Sequence, residues 1–178
     1  KIISDAIKPW HHQLSDEITT KFPGANGKQL YQRYEPGFPS HYRARKTPQE
    51  AVIDIEYLEK LAHESNIQFR VSDFNDIHSA LSGKTSLISI YNKTKIDLIT
   101  IMPILENLGV HVYDELTTKI QNETHMFGYI HSFRISMDNK AIDSKHHQQE
   151  IVDLFAAVFD SLTENDPLNG LIINTPLN

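Results

Sequence analysis

The chain has 178 residues, which is enough for one domain with a real core or for a compact domain with a helical extension. Its 39% hydrophobic and 22% charged content is ordinary for a globular protein, and no stretch approaches the roughly 20 apolar residues of a membrane span. The net charge of −6 argues against a nucleic-acid-binding surface, and the lack of cysteine excludes disulfides and thiolate chemistry. We expect a cytoplasmic protein and, because the chain begins at Lys1 rather than Met, a piece of a longer polypeptide.

The first part of the chain is predicted to be helical. Residues 2–21 favour a helix, with Pro9 at its start or at a kink. The apolar side chains that indicate this helix lie mostly three or four residues apart: Ile3, Ile7, Trp10, Leu14 and Ile18. A turn over residues 22–27 precedes a second, short helix, and residues 35–46 are predicted to form a loop. We expect this part to belong to a helical lead-in over residues 1–65.

A strong helix start follows at Thr47. Thr47 can cap the helix, Pro48 suits its first position, and the Glu50 side chain can reach back to the cap. The predicted buried face consists of Ala51, Ile55, Leu58 and Ala62. The predicted water-facing side chains are Asp54, Glu56, Glu59 and Lys60.

From Ile67 onward the hydrophobic period changes from helical to two, which indicates strands. The predicted elements are, in chain order, strands over residues 67–71 and 85–91, a helix over 98–108, strands over 110–120 and 126–137, a helix over 151–162, and an apolar run over 171–173 that suits an edge strand or a helix start. The order strand, helix, strand, strand, helix, strand is that of a ferredoxin-like α+β sandwich with both helices on one face of an antiparallel sheet. We expect this domain over residues 66–178.

One helix and one strand of this domain predict which side chains are buried in its core. The helix over residues 98–108 is expected to end at Gly109 and to bury Leu98, Ile101, Met102, Leu105 and Leu108. The strand over residues 126–137 carries a stripe that is expected to be core under the two helices: Phe127, Tyr129, His131, Phe133 and Ile135. Ile130 lies on the opposite face, which is expected to be open to a partner.

Three segments resemble the amino-terminal regulatory region of the large bacterial NAD-specific glutamate dehydrogenases, in the order of that family. They are FPSHYRARKTPQEAVIDIEYLEKL at residues 38–61, PILENLG at residues 103–109 followed by a strand, and ENDPLNGLII at residues 164–173. The resemblance implies an ACT-like, non-catalytic regulatory or assembly domain. It also implies a parent enzyme that oxidatively deaminates glutamate to 2-oxoglutarate and ammonium with NAD. The implied partners are other domains or subunits of the same enzyme in a homo-oligomer, with no nucleic acid and no membrane.

Amino-acid-binding ACT domains typically hold their effector in the loop between the first strand and the first helix. The resemblance maps this loop to Asn92, Lys93, Thr94, Lys95 and Asp97. The loop lacks the glycine and proline of the usual ligand-binding form, and Asp97 is adequately explained as a helix cap. A free helix amino end could still receive a carboxylate. We keep this loop as the candidate effector site.

Other motifs favour structural interpretations, and no catalytic, metal-binding or cofactor-binding residue is predicted in this segment. The pairs His11–His12 and His146–His147 do not have chelating spacing, and the glycines of PGANGK suit a loop between helices. His131 is predicted to be a satisfied core or edge histidine. An RNA-binding sheet is disfavoured because the chain is acidic. A stand-alone amino-acid sensor and a purely structural scaffold remain the alternatives to a regulatory domain.

Overall fold

The computed structural model describes residues 8–64, 66–74, 85–137, 142 and 145–164, with 161–164 described as helix backbone only. Its elements are α1 (Trp10–Lys21), α2 (Ala25–Tyr34), a 3-10 turn (Glu35–Gly37), α3 (Ser40–Arg43), α4 (Pro48–Glu64), β1 (Gln68–Asp73), β2 (Ser86–Asn92), α5 (Leu98–Asn107), β3 (Val110–Gln121), β4 (Met126–Met137) and α6 (Lys145–Glu164). The predicted α+β class is confirmed. The predicted loop over residues 35–46 instead contains the 3-10 turn and α3. Residues 1–7 and 171–173, which carry further predictions, lie outside the described residues.

The four strands form one antiparallel sheet in the order β1-β2-β4-β3. In the ferredoxin-like order the last strand of the motif lies beside the first, which here is β2. In this sheet β1 fills that position, pairing with β2 from Gln68↔Tyr91 to Asp73↔Ser86. A strand that precedes the motif therefore completes the sheet, and β1 and β3 are its edges among the described strands.

Helices α5 and α6 lie on one face of this sheet, as predicted. Their shared core contains Phe69, Val71, Ile88, Ile90, Ile101, Ile104, Leu105, Val110, Phe133, Ile135, Ile142, Phe155 and Phe159. Gly109 ends α5 with φ +70°, a conformation that favours glycine. The prediction that Leu98 is buried is wrong, because α5 begins at this residue and its side chain is 43% exposed.

The other face of the sheet is covered by the helical lead-in rather than open to a partner. The core beneath those helices includes Tyr91, Ile120, Phe127 and Ile130 from the sheet. Ile130 is only 1% exposed, so the predicted docking surface at this residue is wrong. A Cβ at Gly128 would lie 3.1 Å from Leu61 Cδ2 and 3.2 Å from Leu58 Cδ2, which shows how closely α4 approaches β4. The division into segments 1–65 and 66–178 stays a prediction.

A β-bulge in β4 explains why the predicted aromatic stripe is split between the two cores. Ile120 pairs with Gly128 and Gln121 pairs with Met126, so Phe127 is an extra residue in β4. A bulge of this kind interrupts the alternation of side chains along a strand. Phe127 therefore packs with the helical layer, where its ring stacks on Tyr34 at a centroid distance of 4.2 Å. The prediction that Phe127 lies under α5 and α6 is wrong, whereas Phe133 and Ile135 do lie there.

The predicted start of α4 is confirmed. The Thr47 amide donates to Glu50 Oε2 at 2.8 Å, and the Glu50 amide donates to Thr47 Oγ1 at 3.2 Å, which is a reciprocal capping box. The buried face of α4 is displaced from the predicted one near its end, because Leu61 is buried and Ala62 is exposed.

The largest error of the sequence-based prediction concerns Asp54, which is fully buried rather than exposed. The Tyr42 hydroxyl donates to Asp54 Oδ2 at 2.5 Å, and the Tyr91 hydroxyl donates to Oδ1 at 2.7 Å. Burial, reinforced by the Asp54 carboxylate, raises the pKa of both tyrosines well above the ordinary value of 10.0, so they remain donors. Arg70 of β1 adds a countercharge, with Nη2 at 3.6 Å from Oδ1. Asp54 therefore joins α3 and α4 to β1 and β2.

We expect Asp54→Ala to lower the free energy of unfolding by about 3–5 kcal/mol, because the buried Arg70 guanidinium loses its countercharge and two tyrosine hydroxyls lose their acceptor. Equilibrium unfolding in urea measures the change. Glu56→Ala is the matched control on α4, since Glu56 forms a surface ion pair with Lys21 and should cost at most about 1 kcal/mol. Equal losses in the two variants would contradict the structural role given to Asp54.

Candidate functional site

The predicted effector loop is a short exposed connection between β2 and α5. Asn92 ends β2, and its Nδ2 donates to the Thr94 carbonyl at 3.0 Å and to Thr94 Oγ1 at 3.2 Å. Lys93, Lys95 and Asp97 are exposed, so the loop presents two cationic side chains and one carboxylate to solvent.

Asp97 occupies the cap position of α5, as predicted, but without the side-chain hydrogen bond that usually accompanies an aspartate cap. Its carbonyl accepts from the amides of Thr100 at 2.9 Å and Ile101 at 3.3 Å, as the first intrahelical bonds require. Within the described residues its carboxylate makes no capping hydrogen bond. The first-turn amides of α5 therefore do not use this side chain as their acceptor.

A buried histidine holds the middle of the loop to the sheet. The Ile96 amide donates to His131 Nε2 at 3.2 Å, and His131 Nδ1 lies 2.8 Å from Thr117 Oγ1. Because Nε2 accepts a hydrogen bond, the ring proton lies on Nδ1 and is donated to Thr117, which in turn donates to Glu115. The prediction of a satisfied core histidine is confirmed. No sequence pattern indicated that His131 contacts the loop, because Ile96 and His131 are 35 residues apart.

The surroundings of His131 keep its imidazole neutral. Its side chain is fully buried on β4. Burial is the main cause and the nearby Lys95 ammonium the second cause that lowers the pKa of His131 from 6.5 to about 4. A proton added to Nε2 would face the Ile96 N–H, so the contact between loop and sheet requires the neutral ring.

One residue of the predicted site, Lys93, also lines a cleft between the helical layer and the sheet. The cleft has a volume of about 490 Å³ and is lined by Arg33, Tyr34, Leu58, Glu59, Ala62, His63, Lys93, His125, Met126 and Phe127. Glu59 accepts hydrogen bonds from Arg33 and from the Tyr34 hydroxyl. The cleft thus combines an aromatic wall with basic side chains and one carboxylate, the mixture of apolar surface and a few polar groups that is typical of small-molecule sites. Sequence reasoning identified Lys93 but missed its neighbours, which come from α2, α4, β4 and the turn before β4.

The histidine pairs do not form a metal site in the part of the chain that the structure describes, where no group of three or more metal-ligating side chains occurs. The His11 and His12 rings contact each other edge to face at a centroid distance of 4.3 Å. His146 Nδ1 lies 3.3 Å from Glu150 Oε1, one helical turn away. Among the described helices, none has both the length and the apolar character needed to cross a membrane.

We expect His131 to make the free energy of unfolding fall as the pH drops from 6.5 towards 4. The unfolded chain binds a proton near the ordinary pKa, whereas the folded chain does so only near pH 4, so stability is lost across this window. The slope is about 1.4 kcal/mol per pH unit for one such group. Urea unfolding at several pH values should show a smaller slope for His131→Gln than for wild type. His63→Gln, at an exposed site, is the control; parallel curves for wild type and His131→Gln would contradict this assignment.

Comparison with known proteins matches two consecutive regions of the chain to one family. Residues 17–61 match the glutamate dehydrogenase helical motif 2, and residues 64–149 match the glutamate dehydrogenase ACT3 domain. The NAD-specific glutamate dehydrogenase of Pseudomonas aeruginosa is 25% identical over 178 residues, covering 98% of this chain and 11% of the relative. That of Halomonas elongata is 23% identical over 169 residues, covering 94% of this chain and 10% of the relative. The resemblance found in the sequence is thus confirmed, and the chain belongs to the glutamate dehydrogenase family as its helical motif 2 and ACT3 region.

Proposed function

We propose that this chain is a regulatory and assembly region of an NAD-dependent glutamate dehydrogenase. The whole polypeptide would oxidatively deaminate glutamate to 2-oxoglutarate and ammonium, with NAD as the cofactor of the parent enzyme. The observation that carries the proposal is the match of two consecutive regions to helical motif 2 and ACT3. The chain spans about a tenth of the length of the curated relatives it matches, so we assign catalysis to parts outside it. We place the enzyme in the cytoplasm.

The packing of the two matched regions supports a regulatory role. Asp54 of α4 is hydrogen-bonded to Tyr91 of β2, and Asn92 at the start of the effector loop follows directly. A displacement of α4 would therefore move Tyr91 through its buried hydrogen bond to Asp54, and would shift the loop that follows. Lys93 lies in the cleft between the same two layers, so a ligand there would contact both of them. This is a physical route by which the binding of a ligand or a neighbouring domain could change the loop.

Several exposed apolar side chains support a role in assembly. Ile99 at the start of α5 is 80% exposed, Leu98 is 43% exposed, and Tyr113 on the edge strand β3 is 38% exposed. Edge strands and exposed apolar side chains are features that contacts with other protein surfaces use. The proposed partners are other domains or subunits of the same enzyme, including a second copy in a homo-oligomer, and we propose no nucleic-acid or membrane partner.

A stand-alone amino-acid sensor is the second candidate, favoured by the cationic loop and the cleft at Lys93. A purely structural scaffold is the third. Thermal unfolding with a panel of amino acids distinguishes them. A sensor should show a saturable rise in the midpoint of unfolding with one of these amino acids. Lys93→Ala should weaken that rise, and Lys119→Ala should leave it unchanged. The same midpoint in every solution indicates a scaffold.

We expect this chain by itself to neither bind NAD nor form NADH from glutamate, because catalysis is assigned to the remainder of the enzyme. The measurements are glutamate-dependent NADH formation and calorimetric titration with NAD, with an intact NAD-specific glutamate dehydrogenase as positive control. Turnover by this chain, or micromolar binding of NAD to it, would contradict the proposal.

A further inference from the structure

A second, smaller cavity lies on the helical side of the sheet, away from the effector loop. It has a volume of about 80 Å³ and is lined by Arg45, Lys46, Glu50, Phe74, Leu87, Asp114, Glu115, Leu116, Ser132 and Arg134. Five of the six strand residues belong to two neighbouring cross-strand rows, one through Leu87, Arg134 and Asp114 and one through Ser132 and Leu116. A water needs about 10–15 Å³ by this kind of measure, so the cavity can hold a group of several heavy atoms.

Two cations line this cavity with donors that have no acceptor. The Lys46 side chain is only 6% exposed, and among the described residues its Nζ has no hydrogen-bond partner. The nearest carboxylate oxygen, Glu50 Oε1, is 3.7 Å away, a distance that allows an ion pair but is too long for a hydrogen bond. Arg134 Nε is likewise buried without a hydrogen-bond partner in the described part of the chain, and the Arg134 guanidinium carbon lies 5.2 Å from the centroid of the Phe74 ring. Buried charged donors of this kind are costly unless an acceptor binds them.

The backbone around Lys46 is fixed rather than adaptable. The Lys46 carbonyl accepts from Trp10 Nε1 at 2.9 Å, and its amide donates to the Tyr42 carbonyl at 2.9 Å. The opposite oxygen of Glu50 is already used in the capping box with Thr47. Glu50 therefore has little freedom to move closer to the Lys46 ammonium without breaking the start of α4.

The charges at the rim indicate what kind of acceptor fits. Asp114 is paired with Arg45 at 3.7 Å, and their side chains are 47% and 55% exposed. Glu50 is 36% exposed. The buried wall of the cavity is therefore cationic at Lys46, while its exposed edge carries carboxylates that repel additional negative charge. A compact anion whose other end is neutral or cationic matches this distribution, and a polyanion does not.

We propose that this cavity binds the carboxylate group of a small molecule, with Lys46 as the main cationic partner and Arg134 beside it. The carboxylate would accept the hydrogen bonds that these buried donors lack. The acidic rim at Glu50 and Asp114 admits a monocarboxylate or a zwitterion whose ammonium faces outward. The site is distinct from the effector loop, so it is independent of whether that loop binds a ligand.

The test is a titration of this chain with acetate, glycine and methylammonium chloride at constant ionic strength, followed by backbone amide NMR shifts. We expect saturable shifts at Lys46, Ser132 and Arg134 with acetate or glycine and none with methylammonium. If glycine binds more tightly than acetate, the rim recognises an ammonium group. If acetate binds more tightly than glycine, the site prefers a simple carboxylate. Lys46→Met should weaken binding by about tenfold or more, since one charge-assisted hydrogen-bond partner is lost. Lys60→Met, at an exposed site on α4, should leave binding unchanged.

The thermal midpoint of unliganded Lys46→Met separates a binding role from a structural one. If Lys46 serves binding, its buried charge should not stabilise the unliganded fold. The midpoint of Lys46→Met should therefore equal or exceed that of wild type. Non-saturable shifts in wild type, or equal affinities of wild type and Lys46→Met, would overturn the proposal. If Lys46→Met does not fold, Lys46 is needed for the fold itself and the proposal is likewise wrong.

Discussion

The fold depends on one buried carboxylate, that of Asp54, which lies between the helical layer and the sheet. It accepts hydrogen bonds from Tyr42 and Tyr91 and faces the Arg70 guanidinium. A buried charge without partners is strongly unfavourable, so this arrangement is stable only when helices α3 and α4 and strands β1 and β2 are correctly placed together. The two family regions are therefore joined by a polar contact that tolerates little change, in addition to their apolar core.

This contact explains why the sheet is covered on both faces. A ferredoxin-like sandwich has helices on one face only, and the second face is here covered by α4, which approaches β4 closely at Gly128. The surfaces that we propose for regulation and assembly are the loop at residues 92–97, the start of α5 and the edge strand β3. The cleft at Lys93 and the cavity at Lys46 lie where the described parts of the helical layer and the sheet do not fill the space between them.

The sequence predicted the features that depend on nearby residues and missed those that depend on distant ones. The capping box of Thr47 and Glu50 and the end of α5 at Gly109 lie within a few positions of the helices they start or end. The burial of Asp54 depends on Tyr91, 37 residues away, so helical periodicity alone placed it in solvent. Phe127 was misplaced because a bulge breaks the alternation of β4, and the neighbouring Gly128 is the local signal that could have indicated this bulge.

In the candidate sites, too, the sequence indicated local features and missed those that depend on distant residues. A family resemblance locates the loop at residues 92–97, but its attachment through Ile96 and His131 depends on tertiary contact. Lys46 looks like an ordinary surface lysine in sequence, and only the structure shows that it is buried beside a cavity. Burial of a charged side chain is decided by what packs over it, and this information is absent from local patterns.

The helical layer and the sheet should unfold as one cooperative unit, and urea unfolding followed at two places tests this most directly. Trp10, the single tryptophan, reports on the helical layer through its contacts with Phe38 and Tyr42. The amide NMR signals of Ile88 and Phe133 report on the core at the opposite face of the sheet. Coincident midpoints for fluorescence and NMR are predicted. Loss of the Trp10 signal at a lower urea concentration, with the sheet signals intact, would contradict the account.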